Sequence, residues 1–251
     1  MEAFKLSLLK LQDYTLLVFV LFKGFISNLK YLQDALKEMY WIGAKAFRLI
    51  FLGGLFVGII LAIETGHQLD LFGAKTLVGR TVALGMVREL GPVITGLLLA
   101  ARTGAKNASE IGAMQLSEQI DALRAFGTSP IQKLVFPRML AALVMFLPLT
   151  LISDMVGIVG GMIVTKFSLG VDTSFFWHSA IDSLGLKDIV VGFTKPIFFG
   201  FFISTISCYY GFSTTGGTTG LGRNTINAVV VSSMVVLIID FIFTKLIWAL
   251  F

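Results

Sequence analysis

Residues 81–101 read TVALGMVRELGPVITGLLLAA, an apolar run long enough to cross a bilayer as a helix. Two charged residues, Arg88 and Glu89, fall near its middle and are followed by Gly91 and Pro92. Charged side chains at membrane depth are costly, so they face the interior of a helix bundle or a water-filled cavity. The run therefore predicts a spanning helix that is kinked at Pro92 and presents polar groups to the inside of the protein.

The rest of the chain has the same apolar character. Of its 251 residues, 56% are hydrophobic and only 14% are charged, whereas a soluble domain carries about 25% charged residues. Four further apolar runs cover residues 47–63, 139–164, 189–210 and 226–251. The sequence therefore predicts an all-α, polytopic membrane protein with five transmembrane helices.

The N-terminal region differs from these runs. Its apolar stretch at residues 14–22 is too short to span a bilayer. Apolar residues then recur at helical spacing at Ile26, Leu29, Leu32, Leu36 and Met39. This pattern is typical of an amphipathic helix in the membrane interface. We expect residues 1–45 to form an interfacial segment and residues 46–251 to form the transmembrane domain.

The distribution of basic residues predicts the orientation. Most of the 20 lysines and arginines fall in the N-terminal segment and in the loop at 102–138. Cytoplasmic loops carry such an excess, so the N-terminus is predicted to be cytoplasmic and the C-terminus to lie outside. The net charge of +5 is explained by these residues at the membrane faces, and no nucleic-acid partner is expected.

No pattern of catalytic or metal-binding residues is present. The single Cys208 lies in an apolar run, which indicates a small buried side chain, and His67 and His178 are isolated. Neither HExxH nor GxSxG occurs, and the glycine-rich turn at 217–224 lacks the lysine and Ser/Thr of a P-loop. We therefore expect no catalytic site, no metal site and no cofactor on this chain.

Four charged residues in the apolar runs are the candidates for function: Arg88, Glu89, Asp154 and Asp240. Neighbouring residues on a helix point about 100° apart, so Arg88 and Glu89 are not expected to pair with each other. They either form a polar spot in a substrate cavity or make ion pairs with neighbouring helices. Asp154 and Asp240 lack the glycine-flanked motif of aspartyl intramembrane proteases, which favours polar contacts between helices.

The polar loop at 102–138 contains a second candidate. Residues 109–124 can form a short helix with apolar residues on one side, namely Ile111, Met114, Ile120 and Leu123. Such a helix is either a solvated surface element or a coupling helix that docks onto a cytoplasmic partner. Composition alone does not separate these two interpretations.

Several ordered motifs resemble one known family. They are ELGP at 89–92, ARTG at 101–104, SEIG at 109–112 and EQIDAL at 118–123. Together they make residues 45–251 similar to the MlaE/YrbE permeases. The resemblance implies an ABC-type system that moves phospholipid or a related lipid between membranes, located in a bacterial inner membrane.

The resemblance also implies partners and roles. Two permease copies would pair with two ATPase subunits, which bind the ATP, and with an MCE-domain ring protein. Residues 115–124 would be the coupling helix. The expected ATPase-coupling residues are Glu110, Glu118, Gln119, Asp121, Leu123 and Arg124. The expected lipid cavity holds Arg88 and Glu89, with Leu61, Leu69 and Phe72 as apolar walls.

Two alternatives stay open at this point. An ion or proton channel lined by Arg88, Glu89, Asp154 and Asp240 would conduct ions without nucleotide. A membrane scaffold that only anchors an MCE ring protein would leave lipid movement intact in a Glu89→Ala variant.

Overall fold

The computed structural model describes residues 2–23 and 30–250, and these residues are almost entirely helical. In chain order the helices are α1 Glu2–Lys23, α2 Leu32–Leu71, α3 Lys75–Leu116, α4 Gln119–Ala125, α5 Ile131–Leu169, α6 Thr173–Ser183, α7 Leu186–Phe212 and α8 Gly217–Leu250. No strand occurs in this part of the chain. The prediction of an all-α protein is confirmed.

Five helices are long and apolar enough to cross a membrane, namely α2, α3, α5, α7 and α8. Their qualifying segments are 27 to 42 residues long, which exceeds the roughly 20 residues that a spanning helix needs. The five predicted spans are therefore confirmed. Each helix begins before its apolar run.

The interfacial position of residues 1–45 stays a prediction, but the helix bounds in this region differ from the apolar pattern. Leu36 and Met39, predicted to lie in a separate interfacial helix, belong to α2, which continues without a break into the first span. Ile26 and Leu29 lie outside the described residues. The helix that is short of a full apolar span is instead α1, which contains the stretch at 14–22.

The helix predicted over residues 109–124 is also two helices. α3 ends at Leu116 and α4 starts at Gln119. Between them, Glu118 adopts a left-handed backbone with φ of 59°. A residue in this conformation ends an α-helix, so the chain changes direction before α4.

The chain divides into two compact units. The first comprises Met1–Ala44, Leu99–Val144 and Gly200–Val235, and the second comprises Lys45–Leu98, Met145–Phe199 and Val236–Phe251. Long helices therefore contribute separate segments to each unit. All contacts described below lie inside one unit or the other.

The first unit has a core that includes α1. Leu17 and Leu21 of α1 are buried in the same cluster as Ile111, Ile120 and Cys208. Ile111 and Ile120 come from the predicted one-sided apolar pattern, which is thereby confirmed as a buried face. Cys208 is a small buried side chain, as expected.

The second unit brings α2 and α5 together through small residues. A Cβ at Gly54 would lie 2.6 Å from the carbonyl oxygen of Ser153, and a Cβ at Gly58 would overlap the backbone of Gly157. Two glycines four residues apart thus let the helix backbones approach closely, which is the small-xxx-small packing of membrane helices.

Candidate functional site

The middle of α3 changes its hydrogen-bond pattern just before Pro92. Met86–Leu90 form a π-helical turn, and the Gly91 N–H donates to Met86 O, five residues back. Pro92 has no N–H, so the carbonyl of Arg88 loses its usual α-helical donor. The irregularity predicted at Pro92 is therefore a π-turn that leaves one backbone acceptor to be satisfied from outside the helix.

Lys195 of α7 supplies that missing donor. Its Nζ lies 2.8 Å from Arg88 O, 2.7 Å from Glu89 Oε2 and 2.7 Å from Asp240 Oδ1. Thr244 Oγ1 lies 3.1 Å from the same ammonium. The Lys195 side chain has no exposed surface, so a charge here is held by its partners rather than by solvent. One ammonium thereby joins α3, α7 and α8 in the second unit.

Glu89 has a second partner in this cluster. The Thr244 hydroxyl lies 3.0 Å from Glu89 Oε1 and 3.1 Å from Oε2. Thr244 can donate to only one acceptor at a time, and its hydroxyl lies beside both the carboxylate and Lys195. The Glu89 carboxylate is therefore fixed in place, although 37% of its side chain remains exposed.

Arg88 pairs with a carboxylate other than that of its neighbour Glu89, as expected from the angle of about 100° between adjacent side chains on a helix. Its guanidinium Nε donates to Asp188 Oδ1. Asp188 is buried in the first turn of α7, and its other oxygen accepts from Gly185 N at 2.9 Å. Arg88 and Glu89, adjacent in sequence, are therefore both tied to α7, through two separate ion pairs.

Arg88 and Glu89 also line an open cavity in the second unit. It has a volume of about 610 Å³. Its remaining lining residues are Leu69, Leu77, Arg80, Thr81, Leu84, Gly85 and Thr244. Leucine side chains form an apolar wall, and arginine, glutamate and threonine groups cluster on the rest. This combination suits a ligand with an apolar body and a polar head.

The three predicted apolar wall residues are placed differently from one another. Leu69 lines the cavity with Arg88 and Glu89. Leu61 packs against the buried core of the second unit and is outside the cavity lining. Phe72 lies in the turn after α2 and is 85% exposed. Of the three, Leu69 is therefore the one that lies in the same cavity as Arg88 and Glu89.

Asp154 and Asp240, the two aspartates predicted to make contacts between helices, have different surroundings. Asp240 is held by Lys195 at 2.7 Å, as a polar contact between α7 and α8. Asp154 of α5 is 4% exposed and lines a separate cavity with apolar neighbours. The four charges that the channel hypothesis needs are therefore divided between two sites of the second unit.

Lys195, Asp188 and Thr244 were missed by the sequence argument. Lys195 lies inside the apolar run at 189–210, so the signal that singled out Arg88 was present for it as well. Its partners could not be found in the same way, because pairing between α3, α7 and α8 depends on the three-dimensional arrangement of the helices.

The first unit holds a charged network of its own. Lys106 Nζ lies 2.7 Å from Glu38 Oε2, and Arg138 donates to Glu110 at 2.9 Å. Lys106 also lies 3.5 Å from Glu110, and Arg138 lies 3.6 Å from Glu38. The Arg138 side chain is only 9% exposed. These pairs join α2, α3 and α5.

The predicted coupling residues divide into two groups. Glu118, Gln119, Asp121 and Arg124 are exposed on or beside α4, and Arg124 pairs with Asp121 at 2.8 Å. Leu123 is partly buried against the core, and Glu110 is held by Arg138. An exposed polar face backed by buried Ile120 and Leu123 gives α4 a surface that a partner can contact.

Histidine, cysteine and acidic side chains of the described residues form no group suited to a metal ion. His67 and His178 are both exposed, on α2 and α6. The expectation that this chain carries no metal, cofactor or catalytic site stays a prediction.

Comparison with known proteins identifies the family. The model of the permease MlaE family matches residues 35–246. A probable ABC transporter permease protein of Rickettsia typhi is 36% identical over 94% of this chain and 91% of its own length. The intermembrane phospholipid transport system permease protein MlaE of Haemophilus influenzae is 34% identical over 86% and 84%. The chloroplastic protein TRIGALACTOSYLDIACYLGLYCEROL 1 of Arabidopsis thaliana is 35% identical over 85% and 61%. The chain belongs to the MlaE permease family of ABC transporters.

Proposed function

We propose that this chain moves phospholipid or a related lipid between membranes as the permease of an ABC system whose ATP is hydrolysed by a separate subunit. The observation that carries the proposal is the cavity of about 610 Å³ in the second unit. Its leucine wall suits acyl chains, and Arg80, Arg88 and Thr81 suit the phosphate of a lipid head. The Haemophilus relative is named as a phospholipid transport permease, which supports the same substrate class.

The cluster around Lys195 supports this function by keeping the cavity wall in one shape. Glu89 and Arg88 each face the cavity while bound to α7. Charged groups that are already held by partners do not have to be ordered when a polar head binds. The channel hypothesis needs its four charges along one path, whereas Asp154 lies at a separate site from the other three, which favours a lipid cavity.

The proposed partners are supported by the exposed surface of α4 in the first unit and by the family. The exposed face of α4 is proposed to contact the cytoplasmic ATPase pair. Phe126, directly after α4, is 84% exposed and gives this surface an apolar anchor. A second permease copy and an MCE-domain ring protein are proposed as the other components, in a bacterial inner membrane.

A transport assay tests the proposal. The chain is purified with its ATPase and reconstituted in liposomes that contain a fluorescent phospholipid. Leu84→Trp narrows the cavity, because Leu84 lines it, and is expected to reduce ATP-dependent lipid transfer about tenfold. Leu186→Trp adds the same bulk at a site that is 83% exposed and away from the cavity, and it is expected to transfer lipid normally.

Three results would contradict the proposal. One is lipid transfer at the normal rate by Leu84→Trp, with the variant shown to assemble with the ATPase. Another is ion flux through the permease in the absence of nucleotide, which the channel hypothesis predicts. The third is the absence of ATP-dependent transfer with the unsubstituted chain, which a scaffold that does not transport would give.

A further inference from the structure

The two arginines that line the cavity of about 610 Å³ have donors to spare. Arg88 donates to Asp188 through Nε, and its side chain is 38% exposed. A guanidinium also has N–H donors on both terminal nitrogens, and these are left for a ligand. The exposed Arg80 side chain has no ion pair or hydrogen bond among the described residues. This part of the cavity therefore suits the oxygens of a phosphate.

The acids beside these arginines share a single cation. The ammonium of Lys195 lies 2.7 Å from Glu89 Oε2 and 2.7 Å from Asp240 Oδ1. Neither carboxylate has another ion pair within the described part of the chain. Glu89 is the one that lines the cavity, and its side chain is 37% exposed. A carboxylate has lone pairs for more donors than these neighbours supply, so Glu89 can accept a cationic donor from a ligand.

Arg88 and Glu89 are near enough to contact one ligand head together. They are consecutive residues, so their Cα atoms are about 3.8 Å apart. Both side chains line the cavity, although they bind different partners on α7. In an ethanolamine phosphate head, a short ethylene link joins the phosphate to a primary ammonium. Such a head can therefore place its phosphate against the arginine and its ammonium against the glutamate at the same time.

The same lining fits two other common heads less well. Quaternary ammonium groups such as choline are recognised by aromatic rings, and none of the described residues that line this cavity is aromatic. Choline also has no N–H to donate to Glu89. A glycerol head carries no cation, so it leaves the two carboxylates with Lys195 alone.

We propose that the cavity selects phospholipids whose head joins a phosphate to a primary ammonium, as in phosphatidylethanolamine. The terminal nitrogens of Arg88 bind the phosphate, Arg80 adds a second positive charge, and Glu89 accepts from the ammonium. The leucine wall packs against the acyl chains. This inference rests on the proposed lipid function and adds the chemical class of the head.

Binding of matched lipids to the purified full chain tests the proposal. Phosphatidylethanolamine, phosphatidylglycerol and phosphatidylcholine are prepared with the same fluorescent acyl chain, so that they differ only in the head. Fluorescence anisotropy in nonionic detergent, with protein-free micelles subtracted, measures saturable binding of each. We expect phosphatidylethanolamine to bind about tenfold more tightly than the other two, because its ammonium alone makes a charge-assisted hydrogen bond to Glu89.

Two substitutions assign the two ends of the head. Glu89→Gln removes the negative charge and leaves Lys195 paired with Asp240, and it is expected to bind phosphatidylethanolamine and phosphatidylglycerol about equally. Glu64→Gln is the matched control, since Glu64 is exposed on α2 outside the cavity lining, and it is expected to keep the preference. Arg80→Gln breaks no pair and is expected to weaken both lipids about threefold while keeping their ratio.

A soluble head without acyl chains separates the lipid from its head group. Glycerophosphoethanolamine carries the same phosphate and ammonium, and it is expected not to displace the labelled lipid at equal concentration, because it makes no contact with the leucine wall. Displacement as effective as that by the unlabelled lipid would overturn the assignment of a lipid ligand.

Equal affinity of the unsubstituted chain for the three lipids would overturn the head preference and leave the proposed lipid function standing. Retention of the full preference by Glu89→Gln would overturn it too, as would unchanged binding of both lipids by Arg80→Gln. The absence of saturable binding of every lipid would contradict the proposed function as well. The two failures are therefore distinguishable, and the comparison of the three lipids does not depend on the folding of any variant.

Discussion

Among the residues of the second unit, Lys195 is the one whose substitution we expect to lower the stability of the protein most. Its ammonium has no exposed surface and balances Glu89 and Asp240, while also satisfying Arg88 O. Lys195→Met keeps much of the length of the side chain and removes the charge. It leaves two carboxylates facing each other and one carbonyl without a donor.

We expect Lys195→Met to destabilise the protein by about 3–5 kcal/mol, since breaking a buried pair by removing one partner has this magnitude. Thermal unfolding in detergent micelles, followed by circular dichroism, measures the effect. The matched control is Lys195→Met combined with Glu89→Gln and Asp240→Asn, which removes the uncompensated charges and should recover most of the loss. A single variant as stable as the unsubstituted protein would show that the cluster contributes nothing to folding.

The contact between α2 and α5 depends on the absence of side chains at its glycines. A Cβ at Gly58 would overlap the backbone of Gly157, which cannot move aside as a flexible side chain can. Overpacking of this kind costs about 1–3 kcal/mol, so Gly58→Ala should unfold at a lower temperature. Gly222→Ala in α8 is the control, because no atom lies within 4 Å of its Cβ position.

The control variant also has an expected effect on stability. Alanine favours a helix interior over glycine by about 0.5–1 kcal/mol, so Gly222→Ala should be neutral or slightly stabilising. If Gly58→Ala behaved like Gly222→Ala, the close approach of α2 and α5 would be wrong. The measurement is the same thermal unfolding in micelles.

The helices themselves were largely predictable, and their interruptions were not. Apolar runs of nearly the length of a bilayer identify a span whatever its neighbours are, which is why all five were found. The break at Glu118 depends on one residue that adopts a left-handed backbone, for which glycine or asparagine would be the usual signal. The π-turn before Pro92 is similarly a local adjustment that the proline alone does not specify.

The candidate site was predictable to the same limited extent. Arg88 and Glu89 were singled out because charge at membrane depth is rare, and the divergence of their side chains follows from helical geometry. Which cation or carboxylate each one meets depends on how α3, α7 and α8 pack. Phe72 shows the converse, since an apolar residue near the expected mouth of the cavity is instead an exposed turn residue.

The orientation of the whole chain can be tested because the protein has one cysteine and that cysteine is buried. An impermeant maleimide should therefore leave the unsubstituted protein unlabelled. Phe72 and Phe126 provide two exposed positions, before α3 and after α4 respectively, at 85% and 84% exposure. α3 is one spanning helix, so these two positions belong to opposite membrane faces.

The excess of lysine and arginine in the N-terminal segment and in the loop after α3 predicts which face is which. In intact spheroplasts we expect Phe72→Cys to be labelled and Phe126→Cys to be protected. In inverted vesicles the result should reverse. Labelling of Phe126→Cys alone in spheroplasts would invert the topology and move α4 away from any cytoplasmic ATPase. Labelling of both would contradict a single crossing between them, and α3 would then have to lie along the membrane, with Arg88 and Glu89 outside its hydrocarbon core.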